Sequence, residues 1–302
     1  MLKKIVQFIF FGNYFIGLLA VALSLECSLQ LHLPLNSLLY YIIIFCGAVL
    51  YYTYAYLGPL HTHGIANERA EWYLHNKKNI LLSQYLLITI CVFAIIFFLQ
   101  KNYQTIFSLP FTYWLVISII PVCGLLYYGL LPKSFYHLNL RNTGWLKAFV
   151  IGFVWACCAN LLPFIFLRIE KGYYNADAVL LIWLFIKNWM FCTVNAIIFD
   201  IKDYADDSNK QLKTFVVKFG LRNTIYFLLL PLLIIGLIAF LIFTHIRNFS
   251  LAAILFNLIP FILLIRVAWL MQKPHSIFYY LVVIDGLIFL KAICGITAMH
   301  FM

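Results

Sequence analysis

Asn195–Gly220 reads NAIIFDIKDYADDSNKQLKTFVVKFG and lies directly between two apolar runs. The chain has 10 acidic residues in 302. Four of them, Asp200, Asp203, Asp206 and Asp207, fall within eight positions of this stretch. Asp200, Asp203 and Asp207 stand at i, i+3 and i+7, which puts them on one helical face, while Asp206 points elsewhere. Carboxylates stacked in this way repel by about 0.2–0.5 kcal/mol per pair. A divalent cation turns that repulsion into attraction. Magnesium suits the role, because it takes oxygen ligands and commonly shares them with substrate phosphates.

The surroundings decide the class. Hydrophobic residues make up 65% of the chain and charged residues 10%, with a mean hydropathy of +0.97. A soluble domain is nearer half apolar and a quarter charged, so a soluble globular fold is excluded. The chain reads as an all-α polytopic membrane protein. Its net charge of +11 belongs to lipid-facing topology rather than to nucleic acid. Eight cysteines lie in or beside apolar runs, without a CxxC or Cys/His cluster, and read as small buried hydrophobes.

Working outward, nine apolar runs are each long enough to span a bilayer, at about 20 residues. They fall near 5–25, 37–57, 80–99, 112–131, 146–167, 178–199, 223–244, 250–271 and 278–299. Met1–Lys4 followed by an apolar run mimics a signal peptide, but the run is long and eight more follow, which predicts a retained first helix. The N-terminus and the loops after spans 2, 4, 6 and 8 share fifteen Lys and Arg, against four on the opposite face. That bias predicts a cytoplasmic N-terminus and an external C-terminus. The two long polar loops, 58–79 and 200–222, then share the cytoplasmic face. Residues 1–302 form a single polytopic domain in this reading.

The Asp200-x2-Asp203-x3-Asp207 run, followed by Lys213-Thr-Phe-Val-Val-Lys-Phe-Gly220, resembles the second aspartate motif of the UbiA-type intramembrane prenyltransferases. The nine spans and the segment Leu146–Trp155, which carries Lys147, also look like that family. The resemblance implies a nine-helix UbiA-like bundle in the cell's inner, cytoplasmic membrane. It implies transfer of a prenyl group from an allylic prenyl diphosphate to an aromatic or other lipophilic acceptor. It implies Mg²⁺ held by Asp200, Asp203 and Asp207, which would be the catalytic residues. Diphosphate would be held by Lys147, Lys202, Lys210, Lys213 and Arg222, with Lys147 favoured because it opens a helix on the correct face. Asn195 would line the cavity below. Metals and basic side chains neutralise a departing diphosphate, and aromatic walls shield a carbocation.

The chain departs from the family at its first motif, because no Asp precedes Asp177. The nearest candidates are Glu68 and Glu71, spaced N-E-x-x-E, which could serve as metal ligands or lie on a solvated amphipathic segment. The departure motivates an alternative: a catalytically degenerate UbiA-like protein that binds isoprenoid lipid. A third reading is a small-solute transporter with Asp285, Lys187 and Lys291 as a charge pathway. The blander reading of Lys187 and Asp285 is an interhelical pair or a snorkelling end. His61 and His63 have no third zinc ligand at useful spacing. Tyr51–Tyr56 reads as interface belt or packing.

Overall fold

The computed structural model describes residues 2–57, 68–128, 144–173, 175–209, 212–273 and 275–301. His61, His63 and Lys210 lie outside the described residues. In chain order the helices are α1 Leu2–Phe11, α2 Tyr14–Gln30, α3 Leu38–Leu57, α4 Glu68–His75 and α5 Lys77–Phe107. Then come α6 Phe111–Tyr128, α7 Trp145–Lys171, α8 Ala178–Lys202, α9 Tyr204–Asn209 and α10 Phe215–Phe219. The last three are α11 Leu221–Ile246, α12 Leu251–Leu270 and α13 Ile277–Phe301. The described residues contain no strand. In lipid every backbone polar group must be paired within the protein, and an apolar segment does this alone only as a helix.

Six of these helices are long and apolar enough to cross a membrane: α5, α7, α8, α11, α12 and α13. The bent pair α1 and α2 makes a seventh if counted as one span, and α3 and α6 contain shorter apolar helices. The chain is an all-helical, multi-pass membrane protein. α8 and α13 are the most enclosed, with 56% of their apolar windows buried, against 22% for α11. α8 packs against α7, α11 and α13, and α13 also packs against α2 and α12. The main core joins Leu19 and Leu23 of α2 to Val194 and Ile198 of α8, Leu229 of α11, Leu264 of α12 and Ile288 of α13. All eight cysteines are free thiols, six of them buried, as their apolar settings predicted.

The expected first span, 5–25, is not one helix. It breaks at Gly12–Asn13, and the two pieces meet at 61°. Asn13 adopts the left-handed conformation, φ 63° and ψ 12°, which Asn tolerates better than most residues. The break frees carbonyls, and α3 and α4 answer them. Arg69 Nη2 donates to Phe11 O at 2.9 Å and to Asn13 Oδ1 at 2.6 Å. Tyr73 Oη donates to Phe11 O at 2.8 Å, and Asn13 Nδ2 donates to Thr53 Oγ1 at 3.2 Å. The Arg69 guanidinium also lies 4.1 Å from the Tyr56 ring centroid. Hydrogen bonds to a charged group contribute about 1.5–3 kcal/mol. Arg69→Ala is therefore expected to cost about 2 kcal/mol, read as an earlier thermal unfolding midpoint in detergent.

Three of the long helices contain π-helical turns, and two of these turns, Cys157–Leu161 and Thr224–Leu229, are followed by Pro163 and Pro231. A proline ring collides with the carbonyl four residues back and offers no N–H, and a widened turn relieves both faults. At the opposite end of α8, Asp177 caps the helix by accepting from Leu180 N at 3.0 Å and pairs with Arg247 at 2.7 Å. These contacts, the Leu180 N–H foremost, hold the Asp177 carboxyl below the usual carboxylate range.

Candidate functional site

The aspartate stretch begins on the last turn of α8 and continues past its end. Lys202 is the last residue of α8 and Asp203 its C-cap, with φ −92° and ψ 6°. α9 follows at once, carrying Asp206 and Asp207. Asp207 N donates to Asp203 O at 2.8 Å, and Leu212 N donates to Asp207 O at 2.9 Å. The continuous helix expected over Asp200–Asp207 is thus broken at Asp203. The chain next turns through Thr214, which caps α10, and Gly220, which joins α10 to α11 at φ +79°.

Lys147 comes to this corner from the first turn of α7. Gly144 puts it there. Its φ is +64°, and a Cβ at Gly144 would lie 2.9 Å from Lys213 Cα, with the Lys213 carbonyl closer still. The 212–214 turn thus rests directly on the start of α7. Lys147 Nζ then reaches Asp200 Oδ1 at 2.8 Å. Asp200 is 2% exposed, so this pair is largely withdrawn from water. Lys202 pairs with Asp203 at 2.7 Å in a more exposed position. Asp207 is buried, within electrostatic reach of Lys147.

The structure brings Asp200, Asp203, Asp207, Lys147 and Lys202 into one neighbourhood. The remaining candidates stand apart. The Lys213 and Arg222 side chains are exposed. Asn195 is buried on α8, about 7.5 Å along the axis below Asp200, and donates to Phe191 O at 3.1 Å. Glu68 and Glu71 are exposed on α4, which packs on α3 and α5. Among the described residues no three His, Cys, Asp or Glu side chains converge as a metal site. One atom nonetheless suits a cation: Asp200 Oδ2 is buried with no hydrogen-bond partner. In the Tyr51–Tyr56 stretch Tyr51 and Tyr54 are exposed, while Tyr52 packs inward. Tyr52 Oη accepts from Trp155 Nε1 at 2.7 Å, which joins α3 to α7.

A second polar group lies deeper, and the sequence reading missed its centre. Glu26 is 1% exposed on α2. Lys291 of α13 donates to Glu26 Oε2 at 2.6 Å, and Lys187 of α8 stands 3.5 Å from Glu26 Oε1. Lys291 also donates to Asn188 Oδ1, and Asn188 Nδ2 donates to Asn160 Oδ1 at 3.1 Å. Lys187 therefore has an interhelical partner, but it is Glu26 and not Asp285. The first span was expected to end at residue 25, which left Glu26 in a loop; α2 runs on to Gln30. An acid one residue beyond an apolar run, with two lysines inside later runs, was the available signal.

No family model matches the chain, and neither a curated protein nor a solved structure does.

Proposed function

We propose that the chain transfers a prenyl group from an allylic prenyl diphosphate to an aromatic or other lipophilic acceptor, at the end of the bundle where α7 and α8 meet. The observation that carries the reading is the Lys147–Asp200 pair at 2.8 Å, withdrawn from water at the edge of an apolar bundle. In this reading the allylic C–O bond breaks and its electron pair leaves with the diphosphate. Lys147 and Lys202 take up that charge. Asp200 holds Lys147 in place until the ligand arrives. An acceptor carbon supplies the electrons for the new bond and then loses a proton. Aromatic side chains of α7 and α3, Phe149, Trp155 and Tyr52, would shield the cation from water. Asp200, Asp203 and Asp207 would hold magnesium, which would supply further charge neutralisation.

The same reading has nine spans, with the bent pair and the two shorter apolar helices counted as crossings, in one domain. It puts the N-terminus in the cytoplasm of a cell whose inner membrane holds the chain. The fifteen-to-four bias of Lys and Arg supports that orientation. The partners are then prenyl diphosphate, acceptor and bilayer lipid, with no nucleic acid.

A second reading is a UbiA-like protein that binds isoprenoid lipid without chemistry. It is favoured by the exposure of Glu68 and Glu71, which leaves one acidic motif where the family has two.

The test supplies purified protein with radiolabelled geranyl, farnesyl and longer diphosphates, Mg²⁺ and a panel of lipophilic acceptors. Removing one preorganised charge donor commonly costs about 10²–10³-fold in turnover. Lys147→Met is expected to lose that much per folded molecule, and Asp203→Ala is expected to lose turnover as well. A wild-type protein that neither binds nor consumes labelled diphosphate ends the transfer reading. Binding without turnover selects the second one.

A further inference from the structure

The Glu26 cluster is unbalanced. It sets one carboxylate between two ammonium groups, and both lysines are within a few per cent of full burial. Among the described residues neither lysine pairs with Asp285, so the surplus positive charge has no protein answer. A buried unpaired ion is costly.

The two lysines differ in how well they are held. Lys291 has Glu26 Oε2 at 2.6 Å and the Asn188 amide oxygen. Lys187 has only long contacts, 3.5 Å to Glu26 Oε1 and 3.4 Å to Asn257 Oδ1, and stands 5.2 Å from the Trp183 ring centroid. Charge-assisted N–H···O bonds close to about 2.7–2.9 Å, so the Lys187 ammonium is under-coordinated. It faces a void of about 10 Å³ lined also by Gln30, Trp183, Phe240, Phe249 and Asn257. A space of that order takes roughly one water, which admits a monatomic ion and no carboxylate or phosphate group.

The void has an approach. An open cleft of about 310 Å³ lies at the turn between α11 and α12, lined by Thr244, His245, Asn248 and Phe249. Phe249 lines both spaces. We infer that the void beside Lys187 holds a halide-sized monovalent anion, which completes the Glu26–Lys187–Lys291 cluster and enters from the α11–α12 cleft past Phe249.

Bromide is the probe. Purified full-length protein is moved from gluconate to bromide at constant ionic strength, and its thermal unfolding midpoint is followed. A ligand that binds only the folded state raises the midpoint along a saturation curve. The expected result is such a curve for the wild type and at least a tenfold weaker one for Lys187→Gln. Crystals grown in bromide should show an anomalous peak beside Lys187 Nζ, and this decides the matter alone if Lys187→Gln does not fold. Equal bromide dependence in the two proteins, or no peak at Lys187, overturns the site. Phe249→Ala should speed quenching of Trp183 fluorescence by added bromide, and an unchanged rate overturns the route.

Discussion

Glu26→Ala is expected to lower stability by about 3–5 kcal/mol, the largest effect of any single substitution considered for this chain. The loss does not measure the attraction in the cluster. It measures what remains: two ammonium groups, Lys187 and Lys291, facing each other across the site of a missing carboxylate. Removing one partner of a buried ion pair leaves an uncompensated charge, whereas removing all partners leaves none. The triple variant Glu26→Met, Lys187→Met, Lys291→Met is therefore expected to recover most of what Glu26→Ala loses. Unfolding in mixed detergent micelles would compare the two. A triple variant as unstable as the single one would show that shape, not charge, is what Glu26 contributes. Gly295 makes shape a serious rival. A Cβ there would lie 2.6 Å from Gln30 Nε2 and closer to Glu26 Oε1, so α13 lies directly against the α2 carboxylate.

Gly152→Val is expected to cost about 3 kcal/mol, the upper end of the usual range for overpacking. α7 and α8 meet more closely than side chains allow. A Cβ at Gly152 would lie 2.8 Å from Thr193 N and 2.9 Å from Trp189 O, with Thr193 Oγ1 nearer still. Two of these are backbone atoms of α8 and cannot swing aside. The Trp189 indole N–H bonds Phe149 O at 3.0 Å and holds the same junction shut. Small residues serve this purpose in membrane bundles, where dispersion and hydrogen bonds replace the hydrophobic drive. Forcing the helices apart would also lengthen the Lys147–Asp200 pair, because both residues stand on them. Gly47 of α3 is the control, since a Cβ there meets nothing within 4 Å. Gly47→Ala should be neutral or gain about 0.5–1 kcal/mol from helix propensity. Matched losses at Gly47 and Gly152 would count against the packing account.

Much of the architecture was legible, because the bilayer imposes it. Apolar runs of about 20 residues fall where the helices fall. Less visible were features that depend on a second segment. The break at Gly12–Asn13 lies inside an apolar run, and it is answered by Thr53, Arg69 and Tyr73, from two later helices. Lys147 was singled out for its place at a helix start. That it meets Asp200 in particular depends on Gly144 and the turn lying on it. The i, i+3, i+7 spacing of the aspartates implied one continuous face, but the helix ends at Lys202 and Asp207 rides on a separate one. Glu26 escaped notice through a boundary error of a few residues, and boundaries are the weakest part of any reading by periodicity.

Glu26 and Lys291 are separated by 265 positions in the chain. During synthesis the second helix enters the bilayer while the last has yet to leave the ribosome. Until then, of its two ammonium partners, the glutamate has at most Lys187 of α8, at 3.5 Å. α13 thus brings a counter-charge to a helix made long before it. A chain cut short before residue 291 would leave Glu26 with Lys187 alone, at 3.5 Å, and without the shorter of its two ion pairs.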